Sequence, residues 1–370
     1  MNFNAPLLKP FRMLLFPFSL VYAAAVWMRN RMFDNRILGS SSFNLPLVCV
    51  GNLSVGGTGK SPMVEFLARK LQDQYKLAAL SRGYKRKTKG YALANEESTA
   101  LDIGDEPMLL HQKFPAIAVA VGEERIVAIP QLLHDRPETQ VIILDDAFQH
   151  RTVKAGLNIL LTDYNNLFTR DWFLPTGDLR DERASYKRAE VLVVTKSPAG
   201  LTEEEASKIA AEINVLPHQS IFFTSIDYGM PYHLLTKQPY TLDEETEVLL
   251  VTGIANPGPI EKYLLDKTST YHEMIFSDHH IFTIDDLKEI QKRFQAIQAE
   301  KKLILTTEKD AVRLVKFSAA LSDVPVFALP ITIKFLFNAE ERFLQLISTF
   351  IDQYHNHYTN VKETSEEKEN

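Results

Sequence analysis

The sequence is poor in cysteine, the residue that forms disulfides and supplies thiolate ligands to zinc. Its 370 residues include a single cysteine, Cys49, so no disulfide can form within the chain. This favours a reducing compartment, and the apolar neighbours of Cys49 favour a buried structural thiol. Two histidines stand together in the "FSDHHIFT" stretch, but no C-x-x-C or E-x-x-H partner accompanies them. A histidine that orients a base or contacts a phosphate is therefore at least as good an interpretation of that stretch as a zinc ligand.

A surplus of positive charge is absent as well. The 47 acidic residues outnumber the 41 basic ones, which gives a formal net charge of −6. This balance argues against nucleic acid as the main partner, although it leaves room for a local basic surface.

A hydrophobic run of membrane-spanning length is also missing near the N terminus. The sixteen residues Met13–Met28 carry no charge, but Pro17 interrupts them and a span needs about 20 apolar residues. Arg12 and Arg29 flank the run, as suits anionic headgroups. We expect residues 1–40 to form an interfacial helix on the cytoplasmic face of a membrane. The alternative is a helix packed on the protein's own core.

The rest of the chain has the pattern of an α/β protein. From Leu45 onward, short apolar runs alternate with amphipathic ones, which predicts a parallel sheet covered by helices on both faces. Two β-rich runs, "QSIFFTSIDYGMPYHLL" and "VPVFALPITIKFLF", flank a smaller unit with its own strands and helices. We therefore predict a second, smaller α/β domain joined by a two-stranded linker. The predicted divisions are 1–40, 41–222 for the larger domain, 223–335 for the smaller domain with its linker, 336–358 for a C-terminal helix, and 359–370 for a disordered polar tail.

A glycine-rich loop lies between the first predicted strand and the following helix. The stretch "SVGGTGKSP" ends like the phosphate-binding pattern G-x-x-x-x-G-K-[ST], in the strand–loop–helix context that the pattern requires. Lys60 would reach the β- and γ-phosphates of a nucleotide, and Ser61 would ligate Mg²⁺. Ser54 replaces the first glycine, so the sharp turn falls to Gly51 or to the following glycine pair. The predicted nucleotide contacts in this loop are Ser54, Val55, Gly56, Gly57, Thr58, Gly59, Lys60 and Ser61.

Acidic residues follow two other predicted elements. The run "VIILDDAFQH" ends in Asp145 and Asp146, as in a Walker B strand, and one of these acids would hold Mg²⁺. Asp105 stands just before a predicted helix, where a carboxylate can act as a helix cap or as the base that accepts a hydroxyl proton. Arg180 and Asp181 in "LPTGDLRDE" could contact a phosphate and assist the metal, respectively.

One basic segment remains open to two interpretations. The stretch "SRGYKRKTKGY" follows a predicted strand and is rich in arginine and lysine. A solvated loop is the simpler interpretation. The sharper one is recognition of an anionic substrate or of membrane headgroups by this segment, whose cations are Arg82, Lys85, Arg86, Lys87 and Lys89.

Taken in order, these stretches resemble the tetraacyldisaccharide 4′-kinase family, the lipid A 4′-kinases. The matching pieces extend over about residues 46 to 315: "VGNLSVGGTGKSP", "LSRGYKRKTKG", "GDEP", "VGEER", "LDDAFQHR", "LPTGDLRD", "TGIANP", "FSDHHIF" and "LTTEKDAVRL". The resemblance implies phosphorylation of the 4′-hydroxyl of a tetraacyldisaccharide 1-phosphate, with ATP and Mg²⁺, to give a lipid IV-A type product. It also implies action at the cytoplasmic face of the bacterial inner membrane, with inner-membrane lipids as partners, and we expect a monomer.

The resemblance also implies a role for individual residues. Asp105 matches the family's general base, and His279 matches the histidine paired with it. Lys60 and Arg180 complete the expected catalytic set. Arg125 and Gln149 join the nucleotide contacts, and the expected metal ligands are Ser61, Asp145, Asp146 and Asp181. Aspartate at 181 stands where the family often has glutamate, which shortens its reach.

Two other functions fit parts of the sequence. A membrane-associated nucleotide hydrolase that works as a switch would use the same loop without a phosphorylated acceptor. No N-K-x-D stretch stands in a suitable place, which weakens a GTP-binding version. An enzyme acting on a soluble small molecule would leave the N-terminal apolar run without a purpose.

Overall fold

The computed structural model describes residues 12–278 and 280–369, with the side chains of 12–278 and 280–356. The predicted α/β class is confirmed: the described residues form two sheets and the helices around them. The strands are β1 Leu47–Asn52, β2 Leu77–Ser81, β3 Ala92–Leu93, β4 Ala118–Val121, β5 Val141–Asp145, β6 Leu157–Asp163, β7 Val191–Thr195, β8 Ser220–Tyr228, β9 Tyr232–His233, β10 Glu247–Thr252, β11 Tyr271–Ile275, β12 Lys302–Thr307, β13 Val326–Leu329 and β14 Ile331–Phe335.

Helices cover both faces of each sheet or follow its strands. They are α1 Phe16–Asp34, α2 Lys60–Leu71, α3 Ala100–Ile103, α4 Asp105–Lys113, α5 Arg125–Asp135, α6 Glu203–Ile213, α7 Gly258–Leu265, α8 Ile284–Ala296, α9 Glu308–Leu314, α10 Ser318–Leu321 and α11 Glu340–Glu369, with single 3-10 turns at Arg183–Arg188 and Val315–Phe317. The last helix is longer than the predicted 336–358 and takes in most of the stretch predicted to be disordered.

The larger sheet has the order β14-β8-β7-β6-β1-β5-β2-β4-β3, and all its pairings are parallel except those of the two edge strands β14 and β3. Strand β1 shows why this sheet has two cores. Val48 and Val50 face α2 and α11, whereas Leu47 and Cys49 face α5 and α6. Because both faces are covered, the strand is apolar throughout. Cys49 is buried as expected, and burial raises its pKa to about 12.

The smaller sheet has the order β11-β10-β12-β13-β9 and its own apolar clusters. Two antiparallel strands, β8 and β14, connect it to the larger domain, with Tyr228 opposite Ile331 and Thr224 opposite Phe335. The predicted two-stranded linker is therefore present. In the larger sheet β14 is the edge strand and β8 lies next to it, and Phe222 and Phe335 pack against Phe343 of α11 in the larger core.

Helix α1 lies on the surface with most of its apolar side chains uncovered. Its buried residues are Ser19, Asn30 and Phe33. More than half of the surface of five large apolar side chains is exposed, namely those of Phe18, Leu20, Val21, Trp27 and Met28. This pattern goes against a helix whose apolar face packs on the protein's own core. Within the described ranges, no helix has the length and apolar character needed to cross a bilayer.

Candidate active site

The glycine-rich loop leaves β1 at the carboxyl edge of the larger sheet and enters α2. Gly59 caps α2 with φ +85°, and Gly56 bends the loop with φ +102°. Both angles favour glycine, which lacks the Cβ that makes this region costly. A Cβ at Gly56 or Gly57 would meet nothing within 4 Å, so this bend faces open space. Two hydrogen bonds hold Thr58 in place in this loop. Asn52 donates to its hydroxyl at 2.7 Å, and the Thr195 hydroxyl donates to its carbonyl oxygen at 2.9 Å.

The structure explains serine at the first position of the loop. Ser54 is buried and pairs through its backbone with Leu179, and the Val55 amide donates to the Asp178 carbonyl at 2.7 Å. Ser54 and Val55 are thus engaged through their backbones with a neighbouring segment, and their contact with the nucleotide stays a prediction. The turn expected at Gly51 does not occur there either. Gly51 lies within β1, where a Cβ would stand 2.5 Å from the Cβ of Phe148.

The two acids at the end of β5 lie beside this loop but have different surroundings. Arg180 forms an ion pair with Asp146 and donates to Asn52 Oδ1 at 2.5 Å, and Lys60 Nζ lies 3.8 Å from Asp146 Oδ1. Burial opposes ionisation of Asp146, but the Arg180 hydrogen bond and the charge of Lys60 lower its pKa overall. The sequence-predicted residues Lys60, Asp146 and Arg180 therefore form one cluster.

Asp145 differs from Asp146 in that its surroundings oppose its ionisation. Its Oδ1 atom is buried without a hydrogen-bond partner in the described part of the chain. Burial, together with the negative charges of Glu106 and Asp146, raises the pKa of Asp145 to about 7. A buried carboxylate oxygen that lacks a donor is costly unless a cation or another donor reaches it.

Glu106 was not among the predicted site residues, yet it belongs to this cluster. A cavity beside the phosphate loop is lined by Ser61, Glu106 and Asp145, with apolar walls from α2, α4, β2 and β4. Lys309 of α9 forms an ion pair with Glu106, and Lys60 and the Ser61 hydroxyl also face it. Burial raises the pKa of Glu106, but these partners outweigh it and lower the pKa.

Asp105 begins α4 and is held from the smaller domain. Arg313 of α9 donates to Asp105 Oδ2 through Nη2 at 2.6 Å and through Nε at 3.1 Å. The same guanidinium donates through Nη1 to Asp310 at 3.1 Å. Asp310 is fully buried and accepts from the Thr307 hydroxyl at 2.7 Å and the Gly253 amide at 3.0 Å.

The predicted partner of Asp105, His279, lies outside the described residues. Its chain neighbours Ser277 and His280 are close to this network, because a Cβ on Gly253 would stand 3.1 Å from the Ser277 carbonyl oxygen and 3.3 Å from the His280 Cβ. Ser277 and His280 therefore lie beside Gly253, whose amide donates to Asp310, and Asp310 shares Arg313 with Asp105. Sequence reasoning missed Arg313 and Lys309. Their spacing of four residues on one helix face was the available signal.

Arg125 has a different position from the one expected. Its side chain is 0% exposed, and it donates to the Gly122 carbonyl at 2.5 Å and to the Asp145 carbonyl at 3.1 Å. Burial lowers its pKa to about 10. Arg125 thus ties the ends of β4 and β5 together from beneath the site. Gln149 likewise supports the loop, because its Nε2 donates to the Asn52 carbonyl at 2.7 Å.

Asp181 is the prediction that the structure supports least. It is buried beneath α1, where it accepts from Asn30 at 2.8 Å and Ser185 at 3.0 Å and pairs with Arg188 at 3.2 Å. Its oxygens are therefore occupied by the helix and its support. Among the described side chains, those of residues 12–278 and 280–356, no three histidine, cysteine or acidic residues cluster closely enough to hold a metal ion. The expected set of three aspartates is accordingly not assembled.

The cluster nevertheless fits a magnesium nucleotide. Mg²⁺ takes one or two protein oxygens and completes its shell with phosphates and water, so a complete protein cage is not required. The Ser61 hydroxyl and the unpartnered Asp145 oxygen line the same cavity. The open bend at Gly56 and Gly57, the N terminus of α2 and Lys60 together suit phosphate oxygens.

Comparisons with known proteins agree with this chemistry. A family model described as tetraacyldisaccharide-1-P 4′-kinase matches residues 11–352. A tetraacyldisaccharide 4′-kinase of Flavobacterium johnsoniae is 45% identical over 343 residues, with 92% of this chain and 98% of that protein covered. One of Bacteroides thetaiotaomicron is 43% identical over 351 residues, with 91% and 92% covered. The LpxK protein of Aquifex aeolicus, crystallised in complex with ATP, superposes with a TM-score of 0.72 at 29% identity, covering 92% of this chain and 99% of that one.

Proposed function

The chain belongs to the tetraacyldisaccharide-1-P 4′-kinase family, and we propose that it transfers the γ-phosphate of ATP to the 4′-hydroxyl of a tetraacyldisaccharide 1-phosphate, giving a lipid IV-A type product. The observation that carries the proposal is the cluster of Lys60, Asp146 and Arg180 beside an open glycine loop, with the unpartnered oxygen of Asp145 next to it. This set of groups suits the phosphates of a nucleotide and one hard cation.

In this proposal the loop from Gly56 to Ser61 holds the phosphates. Lys60 neutralises charge on the transferring group, and Ser61 with Asp145 would hold Mg²⁺, which supplies further neutralisation when bound. Asp146 fixes the Lys60 ammonium and the Arg180 guanidinium in place. Arg125 is assigned a positioning role, because it bonds to the backbone of Asp145 and has no exposed surface.

Asp105 is the proposed base for the sugar hydroxyl. It stands at the start of α4, one residue before Glu106, which lines the cavity. Arg313 keeps the carboxylate pointed in one direction from across the domain boundary, and Lys309 does the same for Glu106. Docking of the smaller domain would therefore complete the base, and His279 keeps its proposed role as the partner of Asp105.

Helix α1 is the proposed membrane contact. Its exposed apolar residues match a helix that lies in the interface plane, and Arg29 and Arg31 are cations suited to anionic headgroups. The helix is fastened to the site, since Ser19 donates to the Phe173 carbonyl at 3.0 Å and Tyr22 to the Arg180 carbonyl at 3.1 Å. We assign the protein to the cytoplasmic face of the inner membrane, bound peripherally or monotopically, as a monomer.

The test is a transfer assay with a mixed acceptor. Purified protein is incubated with γ-labelled ATP and a membrane lipid extract that contains the disaccharide monophosphate. We expect label in a lipid and none without Mg²⁺. If the label is released only as inorganic phosphate, at a rate independent of the lipid, the proposed kinase activity is wrong and the protein is a nucleotide-hydrolysing switch. Label in a water-soluble product would point to a soluble acceptor.

A further inference from the structure

Helix α4 of the larger domain and helix α9 of the smaller domain are each fixed to their own domain. Leu110 of α4 belongs to an apolar cluster of the larger domain, whereas Ala311 and Leu314 of α9 belong to a cluster of the smaller domain. The faces that the two helices turn toward each other carry ion pairs. Charge therefore contributes to the arrangement of the two domains at this boundary.

The order of these ion pairs shows that α4 and α9 run in opposite directions. Asp105, the first residue of α4, pairs with Arg313 near the end of α9. Lys113, the last residue of α4, pairs with Glu308, the first residue of α9, and the pair formed by Lys309 comes between them in both helices. Since α4 carries acids at its start and a cation at its end, a slip of α9 along it would bring like charges together. The pattern of signs thus favours one register.

Lys113 bonds to both domains at once. Its ammonium donates to Glu308 Oε2 at 2.8 Å and also to the carboxylate of Glu65 on α2. On the other side, the Tyr232 hydroxyl of the smaller domain donates to Glu308 Oε1 at 3.1 Å. The side chains of Lys113, Glu65 and Glu308 are 16%, 11% and 6% exposed, so little water surrounds their charges. Loss of the ammonium would leave two enclosed carboxylates without their shared partner, which is costly.

We propose that Lys113 is a positioning residue for phosphate transfer, holding α9 in the place where the cations of that helix meet Asp105 and Glu106. This inference rests on the proposed function. Lys113 stands at the other end of a nine-residue helix from Asp105, about 12 Å away, so it acts through α9 and not by direct contact. Without the bond to Glu308, the first turn of α9 is no longer fastened to the larger domain. The guanidinium and the ammonium that orient the two site carboxylates then lose their fixed place.

The kinetic experiment compares Lys113→Met with Lys113→Arg. Loss of one hydrogen bond between charged groups corresponds to about 10- to 100-fold in an equilibrium constant. We expect Lys113→Met to lower kcat by about 10-fold, while the KM of ATP changes by less than about threefold, and Lys113→Arg to recover at least about half of the kcat. Glu308→Gln removes the same ion pair from the other domain and gives the same result, which covers the case of a Lys113→Met protein that does not fold. Lys70→Met is the control, because it removes a lysine that pairs with Glu340 inside the larger domain, and it should leave kcat within about twofold.

A double variant separates positioning from a general loss of stability. In Arg313→Gln, Asp105 has already lost the partner that α9 supplies. If Lys113 acts through α9, adding Lys113→Met to Arg313→Gln should lower kcat by less than about threefold further. Two independent effects would multiply, so a further loss of about 10-fold would overturn the inference. An equal loss of kcat in Lys113→Met and in Lys70→Met would overturn it as well.

A measurement of the distance between the domains separates this inference from the proposed function. Nitroxide labels are attached to the full chain at Glu204→Cys on α6 and Lys288→Cys on α8, two exposed positions, while the native Cys49 is buried. Double electron–electron resonance should give a distance distribution that broadens or shifts in Lys113→Met and is restored in Lys113→Arg. An unchanged distribution in Lys113→Met would overturn the inference whether or not the protein transfers phosphate. A changed distribution in a protein that phosphorylates no lipid would support the contact that Lys113 makes between the domains and would refute the proposed function alone.

Discussion

The bond between Arg313 and Asp105 predicts that a residue of the smaller domain controls turnover in the larger one. The perturbation is Arg313→Gln. It removes two hydrogen bonds from Asp105 and one from Asp310, and it leaves both carboxylates near each other without their shared cation. The Arg313 side chain is 8% exposed and that of Asp310 is 0% exposed, so little water replaces the lost charge.

Two magnitudes follow from this geometry. Removing one partner of a buried pair costs about 3–5 kcal/mol in stability, and the bonds that Asp310 keeps from Thr307 and Gly253 place the cost near the lower end. Losing charged hydrogen bonds to the base misplaces it, which corresponds to about 10- to 100-fold in kcat. Since the nucleotide contacts lie on the loop of the larger domain, the KM of ATP should change by less than about threefold.

The assay measures kcat and KM with a defined acceptor, and thermal unfolding of the same preparations. Arg293→Gln is the matched control, because it removes an arginine from an exposed pair with Glu289 on α8. Arg313→Lys keeps the charge and should recover part of the kcat. The reasoning would be refuted if Arg313→Gln lowered Tm but kept kcat within about twofold at a temperature where the variant is folded.

Three further predictions concern the loop, the acids and the helix. Gly51→Ala should lower the free energy of unfolding, measured by chemical denaturation, by about 1–3 kcal/mol, because its Cβ would stand 2.5 Å from that of Phe148. Gly57→Ala, whose Cβ would meet nothing within 4 Å, should be nearly neutral, and equal effects of the two substitutions would contradict this explanation. Arg180→Gln should lower Tm at pH 7, because it removes the bond that lowers the pKa of Asp146. The difference in Tm should shrink as the pH falls below about 4, the ordinary pKa of an aspartate, toward the lowered pKa of the folded protein; a difference constant with pH would exclude this cause. Val21→Glu, at a side chain that is 70% exposed, should weaken sedimentation on anionic vesicles without changing Tm, and unchanged sedimentation would remove α1 from the membrane contact.

The sequence predicted the elements whose chemistry is local. The strand, loop and helix around Lys60 are a contiguous pattern, and the acids after β5 follow an apolar run, so both could be located without a structure. The family is confirmed by the comparisons. The order of motifs, not any single motif, identified it.

Burial and long-range pairing were not accessible in the same way. Arg125 and Asp181 both stand in charged motifs, and the motifs do not show which partners surround each side chain. In the structure Arg125 donates to backbone carbonyls, whereas Asp181 accepts from Asn30 of α1. The pairing of Asp105 with Arg313 joins residues that are 208 positions apart. A helix with lysine and arginine four residues apart carries no indication of which carboxylates it will meet.

The position of the new phosphate on the product tests the central claim most directly. The enzyme is incubated with ATP, Mg²⁺ and purified tetraacyldisaccharide 1-phosphate, and the product is analysed by two-dimensional ³¹P–¹H correlation. The proposed function predicts a second phosphorus signal coupled to the proton on C4′, which disappears with Lys60→Ala. A product in which the added phosphate is coupled to another position, or ATP hydrolysis that leaves the lipid unchanged, would contradict it.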